Sequence, residues 1–280
     1  MTTILIVEGN TPDRVANGQS ATAGFIRTFA RLAPATRTRA ANPYANPLLP
    51  DDLIGVDSVV FTGSGVSWSV DSPDAAPQRA AMEMVLATGL PTWGSCNGLN
   101  LAAVALGGRV GASAAGIEVG VARGLTLTKA GTAHPMMKNR AAVYDAPCIH
   151  RDEVQTLPNG AVLLAGNGHS AVQTMTYEQG GVRFWGTQYH PELNLQGIGD
   201  YVRARGIFAH YAGLADDLEI AETDMQAAAR LGTTPRAFAF SERSPELENW
   251  LEMVAATASD DKPEQWPATT EPDQQGMTLS

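Results

Sequence analysis

The chain has 280 residues, 44% of them hydrophobic and 17% charged, with a formal net charge of −10. That is enough apolar material for one large domain with an appendage, or for two small ones, and too little charge for a mostly disordered chain. An acidic surface repels phosphate backbones and anionic lipid, which argues against nucleic acid and membrane as partners.

The first eight residues hold no basic stretch and no long apolar run, a pattern that predicts a first strand and not a signal peptide. Residues 4–7 (Ile-Leu-Ile-Val) form that strand, with the short continuous apolar pattern of one buried on both faces. Residues 22–32 put Phe25, Ile26, Phe29 and Leu32 on one helical face, and Pro34 stops the helix. Residues 57–62 predict a second buried strand that runs into Gly63-Ser64-Gly65. Residues 78–88 predict a helix, with Gly89 as its cap. Residues 90–93 predict a further strand, followed by Gly94-Ser95-Cys96-Asn97-Gly98 and a small-residue helix over 99–106. This alternation predicts an α/β fold: a mostly parallel central sheet with helices on both faces.

After Glu118 the pattern changes to short strands divided by turns, at 124–129, 143–149, 161–165, 171–177 and 182–187, which predict antiparallel additions to the sheet. Residues 197–231 read as one or two helices, marked by Tyr201, Val202, Ile207, Phe208, Tyr211, Leu214, Leu218 and Ile220, and residues 245–256 as one more. The expected organisation is one domain over 1–200, a helical C-terminal appendage over 201–257, and a polar tail over 258–280 that is disordered or loosely attached. The apolar C-terminal helices can pack on the core or on a second copy, so a homo-oligomer stays open. No apolar run approaches the roughly 20 residues that span a bilayer. Two cysteines, Cys96 and Cys148, do not make a disulfide framework. The expected setting is cytoplasmic and reducing, where a free thiol is available for chemistry.

Three segments carry that chemistry. In Gly94-Ser95-Cys96-Asn97-Gly98 a nucleophile sits between glycines at a strand-to-helix turn, the elbow geometry of α/β hydrolytic enzymes. A helix starting near Asn97 aims free N–H groups and a positive dipole end at the sulfur, which favours a reactive thiolate. The plainer alternative is a buried structural cysteine. In Gly186-Thr187-Gln188-Tyr189-His190-Pro191-Glu192, a strand ends, Pro191 stiffens the turn, His190 can move a proton, and Glu192 can orient the imidazole. Alone this string also fits an ordinary loop; placed 94 residues after the elbow it fits that plainer reading far less well. Thr62-Gly63-Ser64-Gly65 is a plain turn or a source of backbone N–H donors for an oxyanion hole. No Gly-Lys-Ser/Thr follows it, so a phosphate loop is disfavoured.

Taken together, the Gly-Ser-Gly turn, the elbow and the His-Pro-Glu segment resemble the class I (triad) glutamine amidotransferase family in order and spacing, over about residues 4–201. The resemblance implies that Cys96 attacks a glutamyl side-chain amide, that His190 serves as base and then acid, and that Glu192 orients it, through a γ-glutamyl thioester. It implies Ser64 or Gly65 with Asn97 as oxyanion donors. The family's Ser-His-Gly-Asp substrate loop matches Ile149-His150-Arg151-Asp152, where the backbone of Ile149 and Arg151 and the Asp152 carboxylate would hold the substrate's α-amino and α-carboxyl groups. Three departures point away from simple glutamine. Asn100 stands where the family commonly has Gln, Arg151 where Gly is frequent, and Trp68 follows the oxyanion turn.

No synthetase domain or nucleotide motif is present, and no cofactor is expected. Stand-alone members act on γ-glutamyl derivatives of amines in bacterial amine catabolism, and that is the favoured expectation. A glutaminase chain feeding ammonia to a separate synthetase chain is the alternative, and a catalytically silent scaffold a third. Cys148 reads as core. No metal site is expected, because His134, His150, His169, His190 and His210 form no spaced cluster with thiols or carboxylates.

Overall fold

A computed structural model of the chain describes residues 2–205 and 212–260. The helix markers Ile207, Phe208 and Tyr211, and the expected tail from 261 onward, lie outside the described residues. The first half runs β1 (Thr3–Val7), α1 (Pro12–Ala16), α2 (Thr22–Leu32), β2 (Arg37–Ala41), β3 (Ser58–Phe61), α3 (Ala76–Thr88), β4 (Thr92–Ser95) and α4 (Asn97–Ala105). The second half runs β5 (Arg109–Ala112), β6 (Glu118–Leu127), α5 (Lys129–Ala133), β7 (Val143–His150), β8 (Asp152–Thr156), β9 (Val162–Gly166), β10 (Thr174–Tyr177) and β11 (Phe184–Thr187). Five helices close the order: α6 (Leu195–Arg205), α7 (Leu214–Ile220), α8 (Met225–Arg230), α9 (Phe240–Arg243) and α10 (Pro245–Asp260).

Nine strands form one sheet in the order β2-β1-β3-β4-β11-β10-β9-β6-β7. From β2 to β11 every neighbouring pair is parallel; from β11 onward every pair is antiparallel. This is the α/β fold read from the sequence, with its antiparallel additions on one side. Side chains alternate across the pleat. Ile4, Ile6, Val60 and Trp93 face α2 and α10, while Leu5, Val7, Val59 and Phe61 face α3 and α4.

Strand β2 has no counterpart in the sequence reading, and the reason is physical. It is an edge strand, Arg-Thr-Arg-Ala-Ala, with no buried residue, so it carries no apolar pattern. The short β5–β8 ladder escaped because each strand buries a single residue, Val110 and Val154, too few to make an apolar pattern. The expected C-terminal appendage is helical, but α10 is not peripheral. Trp250 is fully buried, stacks on Phe29 at 6.0 Å between ring centroids and meets Trp93 edge-on at 6.2 Å. With Leu247, Leu251 and Val254 it completes one face of the core.

Candidate active site

The parallel strands β3, β4 and β11 end side by side, and the loops leaving their carboxyl ends meet in one cleft, where open α/β sheets place their sites. Cys96 stands between β4 and α4 with φ 51° and ψ −103°, a backbone conformation that β-carbon sterics disfavour. Its N–H is fixed by a 2.7 Å bond to the Thr187 carbonyl at the end of β11. The turn packs so closely under β3 that a β-carbon on Gly98 would lie 2.3 Å from the Phe61 carbonyl oxygen, which is why glycine is needed there. Asn97 opens α4, so its N–H has no partner within the helix.

His190 follows β11, its N–H bonded to the Pro147 carbonyl of β7 at 2.8 Å. Its Nδ1 lies 2.7 Å from Glu192 Oε1. Its Nε2 is buried and makes no hydrogen bond among the described residues. Gly63 sits between this ring and the elbow: a β-carbon there would be 2.7 Å from His190 Cε1 and 3.7 Å from Cys96 Cβ. Burial opposes the charged imidazolium, but the Glu192 carboxylate outweighs it. The Glu192 hydrogen bond and the neighbouring Cys96 sulfur add to that effect, so the His190 pKa is pushed up to about 10.

A brace the sequence reading missed lies behind the carboxylate. Trp93 Nε1–H donates to Ser95 Oγ at 3.0 Å, and Ser95 Oγ–H donates to Glu192 Oε2 at 3.0 Å. Thr28 of α2 donates to the Glu192 carbonyl at 3.2 Å. Ser95 sits beside the nucleophile in sequence, but only the fold shows that it faces a carboxylate 97 residues away.

The cleft opens into a 540 Å³ cavity lined by Ser64, Gly65, Trp68, Cys96, Asn97, Asn100, Ile149, Arg151 and Asp152 among others. Asn100 is buried and its Oδ1 has no hydrogen-bond partner among the described residues. The Cys96 thiol points to the Ile149 carbonyl, 3.7 Å away. Arg151 forms a fork on Asp152, at 2.7 and 2.8 Å, and reaches the Ser67 carbonyl at 2.6 Å. Burial would raise the Asp152 carboxyl, but Arg151 holds it below the ordinary carboxylate range. Asp152 begins a strand and is not in a free loop. Trp68 is propped by a 3.1 Å bond from its Nε1 to the Tyr44 hydroxyl.

Two expectations change. The Gly65 N–H is taken by Asn10 Oδ1 at 2.6 Å, so it is not poised for an oxyanion as the turn's glycines had implied. Asn10 arrives from beyond β1, 55 positions away, which no local reading of the turn reveals. The expectation that no histidine clusters with carboxylates also fails. Glu118, His150 and His169, far apart in sequence, bring one ligand atom each within 4.8 Å of one another. The His150 ring is thereby turned to Glu118, at 2.8 Å. Cys148 is fully buried, and burial pushes its thiol well above the usual range, as befits a core residue.

The family model for the glutamine amidotransferase class-I domain matches residues 42–208. The chain belongs to the class I glutamine amidotransferase family. It is 35% identical over 200 residues to a Pseudomonas γ-glutamyl-L-1-hydroxyisopropylamide hydrolase, covering 68% of each chain. It is 33% identical over 145 residues to the GMP synthase of Thermomicrobium roseum, but that match spans 52% of this chain and only 25% of the synthase. It is 30% identical over 121 residues to a glutamine-hydrolysing GMP synthase subunit of Methanocaldococcus jannaschii, covering 43% of this chain and 61% of that one. In fold it is similar to a glutamine amidotransferase of Thermotoga maritima, with TM-score 0.65 and 17% identity over 90% of this chain and 97% of that one. Among the described residues no helix is long and apolar enough to cross a membrane.

Proposed function

We propose that this protein hydrolyses a γ-glutamyl amide through a thioester on Cys96, with His190 and Glu192 completing the triad, and that it does so in the cytoplasm as part of amine catabolism. The observation that carries the reading is the 2.7 Å bond between His190 Nδ1 and Glu192. That bond orients the ring and leaves Nε2 as the nitrogen available to Cys96. A thiolate at Cys96 attacks the amide carbonyl, and the oxyanion is met by the N–H groups of Asn97 and Ser64. Gly65 joins them only by releasing Asn10. As the tetrahedral adduct collapses, the C–N bond breaks and the amine leaves with the proton held on His190. A water then gives its proton to His190 and attacks the thioester carbonyl, the C–S bond breaks, and glutamate departs.

The glutamyl α-ammonium is held by Asp152, and the Ile149 and Arg151 backbone supports the α-carboxyl side. Asn100 Oδ1, buried without a partner, accepts from the substrate. A 40 Å³ chamber beside His190, walled by Asn10, Ala21, Leu193 and Tyr201, shares Ser64, Gly65 and Ile149 with the larger cavity. A chamber of that size suits a small alkyl or hydroxyalkyl amine, in keeping with the substrate of the Pseudomonas relative.

The test is to incubate purified protein with glutamine and a graded set of N-alkyl and N-aryl γ-glutamyl amides and follow glutamate. Small alkyl amides are expected to turn over fastest. Cys96→Ser should abolish the signal while circular dichroism stays unchanged; retained turnover removes the nucleophile. The likeness to a separate GMP synthase subunit supports a second reading, an ammonia-supplying glutaminase. It requires weak activity on glutamine that rises when a synthetase chain is added, so full activity alone rejects it.

A further inference from the structure

We propose that Glu118, His150 and His169 form a binding site for a divalent zinc-like cation, separate from the Cys96 cluster. Glu118 and His150 are direct cross-strand partners on β6 and β7, so the sheet register itself holds them face to face. His150 Nε2 lies 2.8 Å from Glu118 Oε2, and His169 Nδ1 lies 3.9 Å from the same oxygen. The two imidazoles meet edge to face at 85°, their centroids 5.7 Å apart. Zinc bonds of about 2.0–2.2 Å set tetrahedral ligand atoms roughly 3.3 Å from each other. The shorter spacing opens and the longer one closes by about half an ångström to admit the ion.

The surroundings have the form of a second ligand shell. His150 Nδ1 faces the Asp152 carbonyl at 3.2 Å, which fixes the tautomer that leaves Nε2 for a metal. Asn167 donates to Glu118 Oε1 and Gln173 to Oε2, each at 2.7 Å, which orients the carboxylate. The His169 ring is under-satisfied: Nδ1 has Ser170 Oγ at 3.3 Å, and Nε2 is buried with no hydrogen-bond partner among the described residues. Its side chain is 19% exposed, which gives an ion, and a water as fourth ligand, a route in. Two imidazoles and one carboxylate select zinc over magnesium or calcium. Binding displaces the proton shared by His150 and Glu118 to solvent. The occupied site would pin His150, and with it the Ile149–Asp152 wall of the catalytic cavity.

Zinc also binds thiolates, so the test uses the full chain carrying Cys96→Ser, since Cys148 is fully buried. The protein is equilibrated with zinc chloride, gel-filtered and assayed by plasma mass spectrometry. One zinc per chain is expected, falling to background on adding His169→Ala, a change outside the catalytic cavity lining. Cobalt(II) in the same protein should give tetrahedral ligand-field bands with no sulfur charge transfer. Retention of no zinc, or equal retention after His169→Ala in a protein of unchanged melting temperature, overturns the site. Glu118→Gln, if folded, should lose zinc as well; if it does not fold, His169→Ala alone decides.

Discussion

Two buried polar clusters meet where Tyr189 of one precedes His190 of the other, and they are built on opposite terms. Cys96, His190 and Glu192 include a strained backbone and a buried imidazole nitrogen without a hydrogen-bond partner, and Asn100 nearby adds an unmatched oxygen. Arg140, Tyr144, Tyr189 and Glu246 form a closed network. Arg140 Nε donates to Glu246 Oε1 at 2.9 Å, its Nη2 pairs with the other oxygen, and the Tyr189 hydroxyl bonds the same carboxylate. Tyr144 and Tyr189 share a 2.9 Å bond, and none of the four contributes an unpartnered buried atom. Burial and then the Glu246 carboxylate raise both phenols above their ordinary value, so they stay protonated. Unmet valence at the first cluster is what a substrate can fill. Completeness at the second clamps α10 to β7 and so fixes the residue just before His190.

Substitutions should separate the two clusters sharply. Cys96→Gly should cut γ-glutamyl amide turnover by at least about 10⁴-fold and yet raise stability by about 1 kcal/mol, since it relieves a positive φ. A thermal melt beside the glutamate assay checks both; a lowered melting temperature would mean the elbow is not strained. Arg140→Met should do the reverse. Leaving Glu246 buried and unpaired costs about 3–5 kcal/mol, while kcat of the folded fraction stays near wild type. Pairing it with Glu246→Leu should recover most of that loss in urea melts.

Ser95→Ala removes one donor from Glu192. It should lower kcat about tenfold with KM little changed, because the orientation of His190 suffers, and it should cost about 1–3 kcal/mol of stability, because the buried Trp93 Nε1–H loses its acceptor. Equal loss in KM would point to a different role. The pH dependence is the mildest test. His190 has its folded pKa raised above its unfolded value of 6.5, so its stabilisation is fully present below about pH 6.5. It is lost as pH rises through about 10, where the amine-protonating step should fail too. A flat profile from pH 8 to 10.5 in activity and melting temperature would remove the Glu192 pairing as its cause.

Buried strands β1, β3 and β4, helices α2 and α3 between them, and the two segments holding Cys96, His190 and Glu192 were all legible in the chain. Their signals are local: apolar runs, glycines at turns and a proline beside the histidine. Other features depended on residues meeting across the fold. Asn10 capping Gly65, Ser95 under Glu192, Trp250 between Phe29 and Trp93, and Glu118 with two histidines join positions too far apart for any spacing to betray them. Sequence periodicity records which face of an element is buried. Which polar atoms find partners is decided only when strands register and helices dock, because hydrogen bonds depend on distances of about 3 Å that the linear chain does not encode.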